Sequence, residues 1–221
     1  MRLYLSRLHF PVTTLGPGNR VGIWFQGCGL GCPGCISADT WARDRGETTV
    51  ADVLQAITPW ISVADGVTIS GGEPFQQPEA LEMLLHGLRQ FTAPKIDVLV
   101  YSGYPWEGIA STVERFNGCM DVVISDPFDA QAGQTLLWRG SDNQRMHLLT
   151  PLAVDRYQKW IDAPRSALPA ALDVFFDDGE VWMAGIPLPG TMENLRSRLA
   201  EAGFSSTTSE SRSPSLAPIF P

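Results

Sequence analysis

Phe25-Gln26-Gly27-Cys28-Gly29-Leu30-Gly31-Cys32-Pro33-Gly34-Cys35 decides how this chain of 221 residues is read. Three of its four cysteines fall here, spaced C-x3-C-x2-C, on a segment too rich in Gly and Pro to continue as helix or strand. Thiolates this close together can hold three corners of an iron–sulfur cube and leave the fourth iron without a protein ligand. Glycines at 27, 29, 31 and 34 let the backbone wrap such a cluster and turn amides toward its sulfides. Structural zinc is the competing reading. It usually takes four Cys or His ligands, commonly as two separated pairs, and would have to recruit Cys119 from far along the chain. Flanked by Gly118 and Met120, Cys119 reads instead as a buried core thiol.

Working outward, Val21–Phe25 is a short buried strand that feeds the cysteine loop, and Leu15–Arg20 before it is dense in turn residues. After the loop, Thr49 is placed to cap a helix, with Asp52 three residues on and Val50, Val53, Leu54 and Ile57 at helical spacing. Pro59 marks a kink or an end near that point. Val67–Ser70 is the next strand and runs into Gly71-Gly72-Glu73-Pro74. A helix follows from about Pro78, striped by Leu81, Leu84, Leu85 and Leu88. Ile96–Tyr101 leads into Ser102-Gly103-Tyr104-Pro105, a helix spans Glu107–Phe116, and Asp121–Ile124 ends at Ser125-Asp126-Pro127. This alternation predicts an α/β fold with a parallel sheet and right-handed crossovers. The carboxyl ends of such strands share one rim, so four motifs distant in sequence are expected to meet there.

From Gln131 the pattern changes. Leu136–Arg139 and Met146–Leu149 read as two strands about a polar turn, and the proline-spaced residues 150–170 as a connector. Leu172–Phe176 and Val181–Ala184 read as a hairpin about Asp177-Asp178-Gly179, and Thr191 as the cap of a helix through Ala202 that Gly203 stops. The Ser-, Thr- and Pro-rich end reads as disordered. The expected organisation is therefore 1–149 as the main domain, 150–204 as a small α+β appendage and 205–221 as a tail.

Composition narrows the function classes. A net charge of −8 without a Lys/Arg block argues against nucleic-acid binding, which rests on phosphate neutralisation. The N-terminus lacks the features of a signal peptide, and no uncharged apolar run is long enough to span a membrane. Cysteines grouped three plus one suit a reduced compartment, so the expected location is the cytoplasm. His9, His86 and His147 are scattered and are not read as a joint metal site.

Together these stretches resemble the radical S-adenosylmethionine (SAM) superfamily, whose hallmark is C-x3-C-x2-C with a downstream Gly-Gly-Glu-Pro-like turn. Within it the likeness is to anaerobic ribonucleotide-reductase activating proteins and other glycyl-radical-enzyme activases. It rests on Gly16–Arg20, Gly31–Cys35 with Thr40-Trp41, Ile69–Pro74, Tyr101–Tyr104, Asp121–Pro127 and Trp138–Gln144, in that order. The resemblance implies an incomplete (βα) radical SAM barrel in which Cys28, Cys32 and Cys35 ligate a [4Fe-4S] cluster and SAM chelates its open iron. It further implies that Ser70, Gly71, Gly72 and Glu73 receive the SAM ammonium, that Gly34 and Ile36 lie against the adenine, and that Ser125 and Asp126 reach the ribose. No residue is assigned a catalytic role, because the cofactor performs the hard step. The implied activity is reductive cleavage of SAM to a 5′-deoxyadenosyl radical that installs a glycyl radical on a partner enzyme. A flavodoxin- or ferredoxin-type protein would be the electron donor. Two alternatives stay open: a radical SAM enzyme acting on a peptide or small molecule, and a non-catalytic iron–sulfur and SAM-binding sensor. Many superfamily members carry an aromatic residue before the third cysteine. Here Gly34 stands there, as in the ribonucleotide-reductase activating type, and residues 150–221 have no counterpart in the short activases.

Overall fold

The computed structural model describes residues 1–91, 96–116, 118–168, 172–177, 180–188 and 190–205. Its strands are β1 (Arg2–Val12), β2 (Arg20–Phe25), β3 (Glu47–Thr49), β4 (Gly66–Gly71), β5 (Asp97–Tyr101), β6 (Val122–Ser125) and β7 (Arg145–Leu148), which form one sheet in the order β3-β1-β2-β4-β5-β6-β7. β2, β4, β5 and β6 run parallel, while β1, β3 and β7 add antiparallel margins. The helices α1 (Val50–Ile61), α2 (Pro78–Phe91) and α3 (Trp106–Arg115) lie between successive parallel strands in the chain. The fold is thus mixed α/β with a mostly parallel central sheet, as the alternation predicts.

Side-chain alternation splits the core between the two faces of this sheet. On one face Val21, Ile23, Phe25, Val67, Ile69, Val98, Val100 and Val123 pack with Val53 and Ile57 of α1, the leucine stripe of α2, and Ile109 and Val113 of α3. On the other, Leu99, Val122 and Ile124 meet Leu137 and Trp138, together with Ala153 and Tyr157 of α4 (Pro151–Tyr157). Beside them Val12, Leu15 and Trp24 meet Phe175, Trp182 and Ala184, from a hairpin of β8 (Leu172–Asp177) and β9 (Glu180–Gly185). With both faces covered, β2 is buried at every residue, and its Val21–Phe25 stretch reads as a continuous apolar run.

Several elements differ from expectation for local reasons. β1 has no clean alternation because most of its residues are half-buried, and it is not legible as a strand. Leu136–Arg139 is a loop: Asp142 accepts from the Thr135 and Leu136 amides, Trp138 has φ 58°, and Leu136 makes only an isolated bridge to Pro164. Residues 150–168 are an α-helix and short 3-10 turns, since Thr150 caps the Ala153 amide and Pro151 occupies the first turn. Thr49 caps α1 through the Asp52 amide, and Pro59 lies inside that helix, two residues before its end. The final helix, α5 (Thr191–Glu201), has Gly190 in the left-handed region at its cap instead of Thr191. Asp178, Gly179 and residues 206–221 lie outside the described residues. No helix of the described residues is long and apolar enough to cross a membrane.

A buried ion network ties the sheet to α4. The Arg20 guanidinium, fully buried, donates to Asp97 Oδ2 at 2.6 Å, to Thr68 Oγ1 at 2.6 Å and to the Val67 carbonyl at 2.7 Å. Asp97 also takes Arg156 Nη1 at 2.9 Å and the Tyr157 hydroxyl at 2.5 Å.

Candidate active site

The cysteine loop leaves the carboxyl end of β2 and is held from behind by residues 40–42. Gly27 N donates to the Thr40 carbonyl at 2.7 Å, Cys28 N to the Trp41 carbonyl at 3.2 Å, and Gln26 Nε2 to the Ala42 carbonyl at 2.6 Å. Within the loop Cys35 N closes a turn onto the Cys32 carbonyl at 3.1 Å. Gln76 and Gln77 brace the other side: Gln76 Oε1 accepts from Gly29 N at 3.0 Å, and Gln77 Nε2 donates to the Gln26 carbonyl at 2.9 Å. Sequence reasoning passed over this glutamine pair, although it follows the Gly-Gly-Glu-Pro turn directly.

That turn is fastened to the cysteine loop by backbone alone. Gly72 N donates to the Phe25 carbonyl at 2.8 Å and Glu73 N to the Gly27 carbonyl at 2.9 Å. A Cβ on Gly72 would stand 2.3 Å from the Gly27 oxygen, and one on Gly71, at φ 99°, 2.5 Å from the Phe25 oxygen. Two glycines are needed here because backbone meets backbone. The Glu73 side chain, only 1% exposed, turns onto the third motif: Oε2 accepts from Gly103 N at 2.7 Å, and Oε1 from the Ser102 hydroxyl and Phe75 N, both at 3.0 Å.

The remaining motifs close the circle. Leu30 of the cysteine loop lies over Gly103, where a Cβ would come within 2.5 Å of Leu30 Cδ1. Asp126 N donates to the Tyr104 carbonyl at 2.8 Å, and the Cβ position of Gly34 looks onto Phe128 at 3.5 Å. The four strand-end motifs therefore do share one rim. Ser70, the penultimate residue of β4, is half-buried, and Ile36 stands exposed beyond Cys35. Ser125 is buried, with its hydroxyl donating to Asp126 Oδ2 at 2.9 Å and lying 3.0 Å from His147 Nε2. Asp126, in the left-handed region at φ 83°, is clamped by Arg145 Nε at 2.7 Å and Nη2 at 2.8 Å. These hydrogen bonds hold its carboxyl below the usual range. Arg145 also grips Glu107 at 2.7 and 2.9 Å, which joins the N-terminus of α3 to the rim.

Cys28, Cys32 and Cys35 are free thiols, half-buried on one loop. Burial pushes the Cys28 and Cys35 thiols up, and bound iron would reverse that by favouring thiolate. Among the described residues no three His, Cys, Asp or Glu side chains converge on the position of one metal ion. Three thiols on one glycine-rich loop are a donor set that an iron–sulfur cluster takes. Cys119 stands apart in the helix-side core, its Sγ 3.3 Å from His86 Nδ1.

Burial pushes the Glu73 carboxyl up to about 7, although its three donors favour the charged form. A carboxyl raised on folding binds more protons folded than unfolded, so its contribution to stability falls as pH rises from about 4.5 through 7. The expected loss is about 3 kcal/mol in all. Urea unfolding at pH 5 and pH 8 should show this fall in the wild type and much less of it in Glu73→Gln. Equal falls in both would refute the assignment.

Comparison with known proteins gives a consistent picture. The sequence pattern of the 4Fe-4S single cluster domain family matches residues 14–147. The anaerobic ribonucleoside-triphosphate reductase-activating protein of Enterobacteria phage T4 is 30% identical over 135 residues, covering 59% of this chain and 85% of that protein. The Salmonella typhi protein of the same name is 27% identical over 149 residues, 64% of this chain and 96% of its own length. The pyruvate formate-lyase-activating enzyme of Clostridium pasteurianum is 44% identical over 71 residues, 30% of each chain.

Proposed function

The chain belongs to the 4Fe-4S single cluster domain family, and from that premise we propose that it is a radical SAM enzyme that installs a glycyl radical on a partner protein. The observation that carries the reading is the backbone union of the cysteine loop with the Gly71-Gly72-Glu73-Pro74 turn, which puts a three-thiolate loop and a glycine-lined turn on one rim. The relatives named as activators of ribonucleoside-triphosphate reductase and pyruvate formate-lyase support the choice of a glycyl radical enzyme as partner.

In this reading Cys28, Cys32 and Cys35 hold a [4Fe-4S] cluster, and the iron they leave open takes the amino and carboxylate groups of SAM. When bound, the cluster supplies the electron that breaks the sulfonium–C5′ bond of SAM, giving methionine and a 5′-deoxyadenosyl radical. The protein's part is to orient and to exclude. The backbone from Ser70 to Glu73 would accept hydrogen bonds from that amino group, and Gly34 and Ile36 would bound the adenine. Asp126, fixed by Arg145 and Ser125, bounds the ribose side. The sheet is read as an incomplete (βα) barrel, with residues 1–149 as the radical SAM unit and 150–204 as an appendage. Reduced thiolate ligands suit the cytoplasm, where a flavodoxin- or ferredoxin-type protein would deliver the electron.

The test is direct. Anaerobically reconstituted protein, reduced and given SAM, should release 5′-deoxyadenosine and methionine in equal amounts. No release would remove the enzyme reading. A glycyl radical signal appearing on a co-incubated glycyl radical enzyme would identify the acceptor class.

A further inference from the structure

Among the described residues two arginines, Arg20 and Arg139, are almost wholly inside the protein, and they are treated very differently. Arg20 is saturated by Asp97, Thr68 and two backbone carbonyls. Arg139 is 4% exposed, yet its Nε has no hydrogen-bond partner, and among the described residues it stands in no ion pair. A guanidinium withdrawn this far from water without a direct partner is destabilising. Burial accordingly pulls its pKa below the usual arginine range.

The backbone that carries Arg139 is fixed from three sides. The Tyr101 hydroxyl, at the carboxyl end of β5, donates to the Trp138 carbonyl at 2.9 Å. Arg165 Nη2 donates to the carbonyls of Arg139 and, at 3.2 Å, Gly140. Gln144 Oε1 accepts from Gly140 N at 2.7 Å. Trp138 is held at φ 58°, a conformation unfavourable for a non-glycine residue that persists only when its surroundings over-determine it. The acidic neighbours do not neutralise the guanidinium. The Asp142 carboxylate is spent on Thr135 N at 2.7 Å, Leu136 N at 3.0 Å and Thr135 Oγ1 at 3.0 Å. Asp162 is exposed and forms no ion pair among the described residues. A loop held by these bonds next to the strand-end rim thus presents a largely buried guanidinium with no direct ion pair among the described residues.

We propose that Arg139 is an oxyanion-binding residue beside Tyr101 at the rim, and that it takes a carboxylate or phosphate group of the molecule acted upon. That the bound molecule is the one acted upon rests on the radical SAM reading. The binding chemistry itself is testable on protein without any cluster.

Thermal unfolding of the full-length wild type, Arg139→Met and Arg139→Lys is measured in chloride, acetate and phosphate at matched ionic strength. In chloride Arg139→Met should melt at or above the wild type, because removing an unpaired buried charge relieves a cost. Acetate, phosphate or both should raise the wild-type midpoint in a saturable way, and whichever does so names the oxyanion. Arg139→Met should lose about tenfold or more in that affinity, and Arg139→Lys should keep part of it. The proposal is overturned if Arg139→Met melts far below the wild type or fails to fold, since the guanidinium would then have a structural partner. It is equally overturned if neither anion stabilises the wild type beyond chloride, or if both variants respond as the wild type does. Failure here leaves 5′-deoxyadenosine release unaffected, and absence of that release leaves the anion result standing.

Discussion

Replacing Cys32 by alanine should abolish the iron–sulfur cluster and SAM cleavage while leaving the α/β fold in place. Cys32 lies on the loop outside both cores, and its carbonyl, not its thiol, closes the turn with Cys35 N. Loss of the side chain therefore removes a ligand and little packing. Two thiolates remain, too few for the three-corner arrangement. Cys119→Ala is the matched control: it deletes a buried sulfur beside His86 and should cost about 1 kcal/mol of stability with the full iron content retained. Iron and sulfide analysis of the reconstituted proteins, followed by product assay, separates the two. Retained cleavage in Cys32→Ala would overturn the ligand assignment, and cluster loss in Cys119→Ala would move the site.

Asp97→Ala should destabilise the protein by about 3–5 kcal/mol, the cost of leaving a buried cation without its partner. Asp97 and Arg20 are both fully buried, and the same carboxylate gathers Arg156 and Tyr157 from α4. Its removal should strand Arg20 between β2 and β4 and loosen α4 from the second core, which contains Tyr157 and Trp138. Exposed pairs offer a contrast. Arg2–Glu47, with both side chains more than half exposed, should matter little. Urea unfolding measures the difference, and a loss below about 1 kcal/mol for Asp97→Ala would show that the network is incidental.

Much of the site was legible because its chemistry is compressed into short spacings. C-x3-C-x2-C, the glycine pair and the strand–helix alternation are local signals, and the shared rim follows from parallel topology. The physical role of Gly71 and Gly72 was not legible. Sequence suggested room for a ligand, whereas the close approach seen is that of the Phe25 and Gly27 carbonyls. The Glu73 side chain cross-links two strand ends, a role that no local spacing announces. β1 and α4 escaped because neither has a clean period, and both are secured by partners far along the chain, such as Gln77 to Tyr4 and Tyr157 to Asp97. Sequence alone leaves Arg139 equally open to lining a substrate face and to a hydrogen-bonded turn. Only its burial, which no spacing encodes, marks it out.

The claim on which the rest depends is that three cysteines leave one iron open and that SAM fills it. Electron paramagnetic resonance of the reduced, reconstituted protein, recorded with and without SAM, tests it most directly. The account predicts one reduced [4Fe-4S] signal whose g-values shift when SAM is added. Identical spectra, with the cluster intact in both, would contradict it.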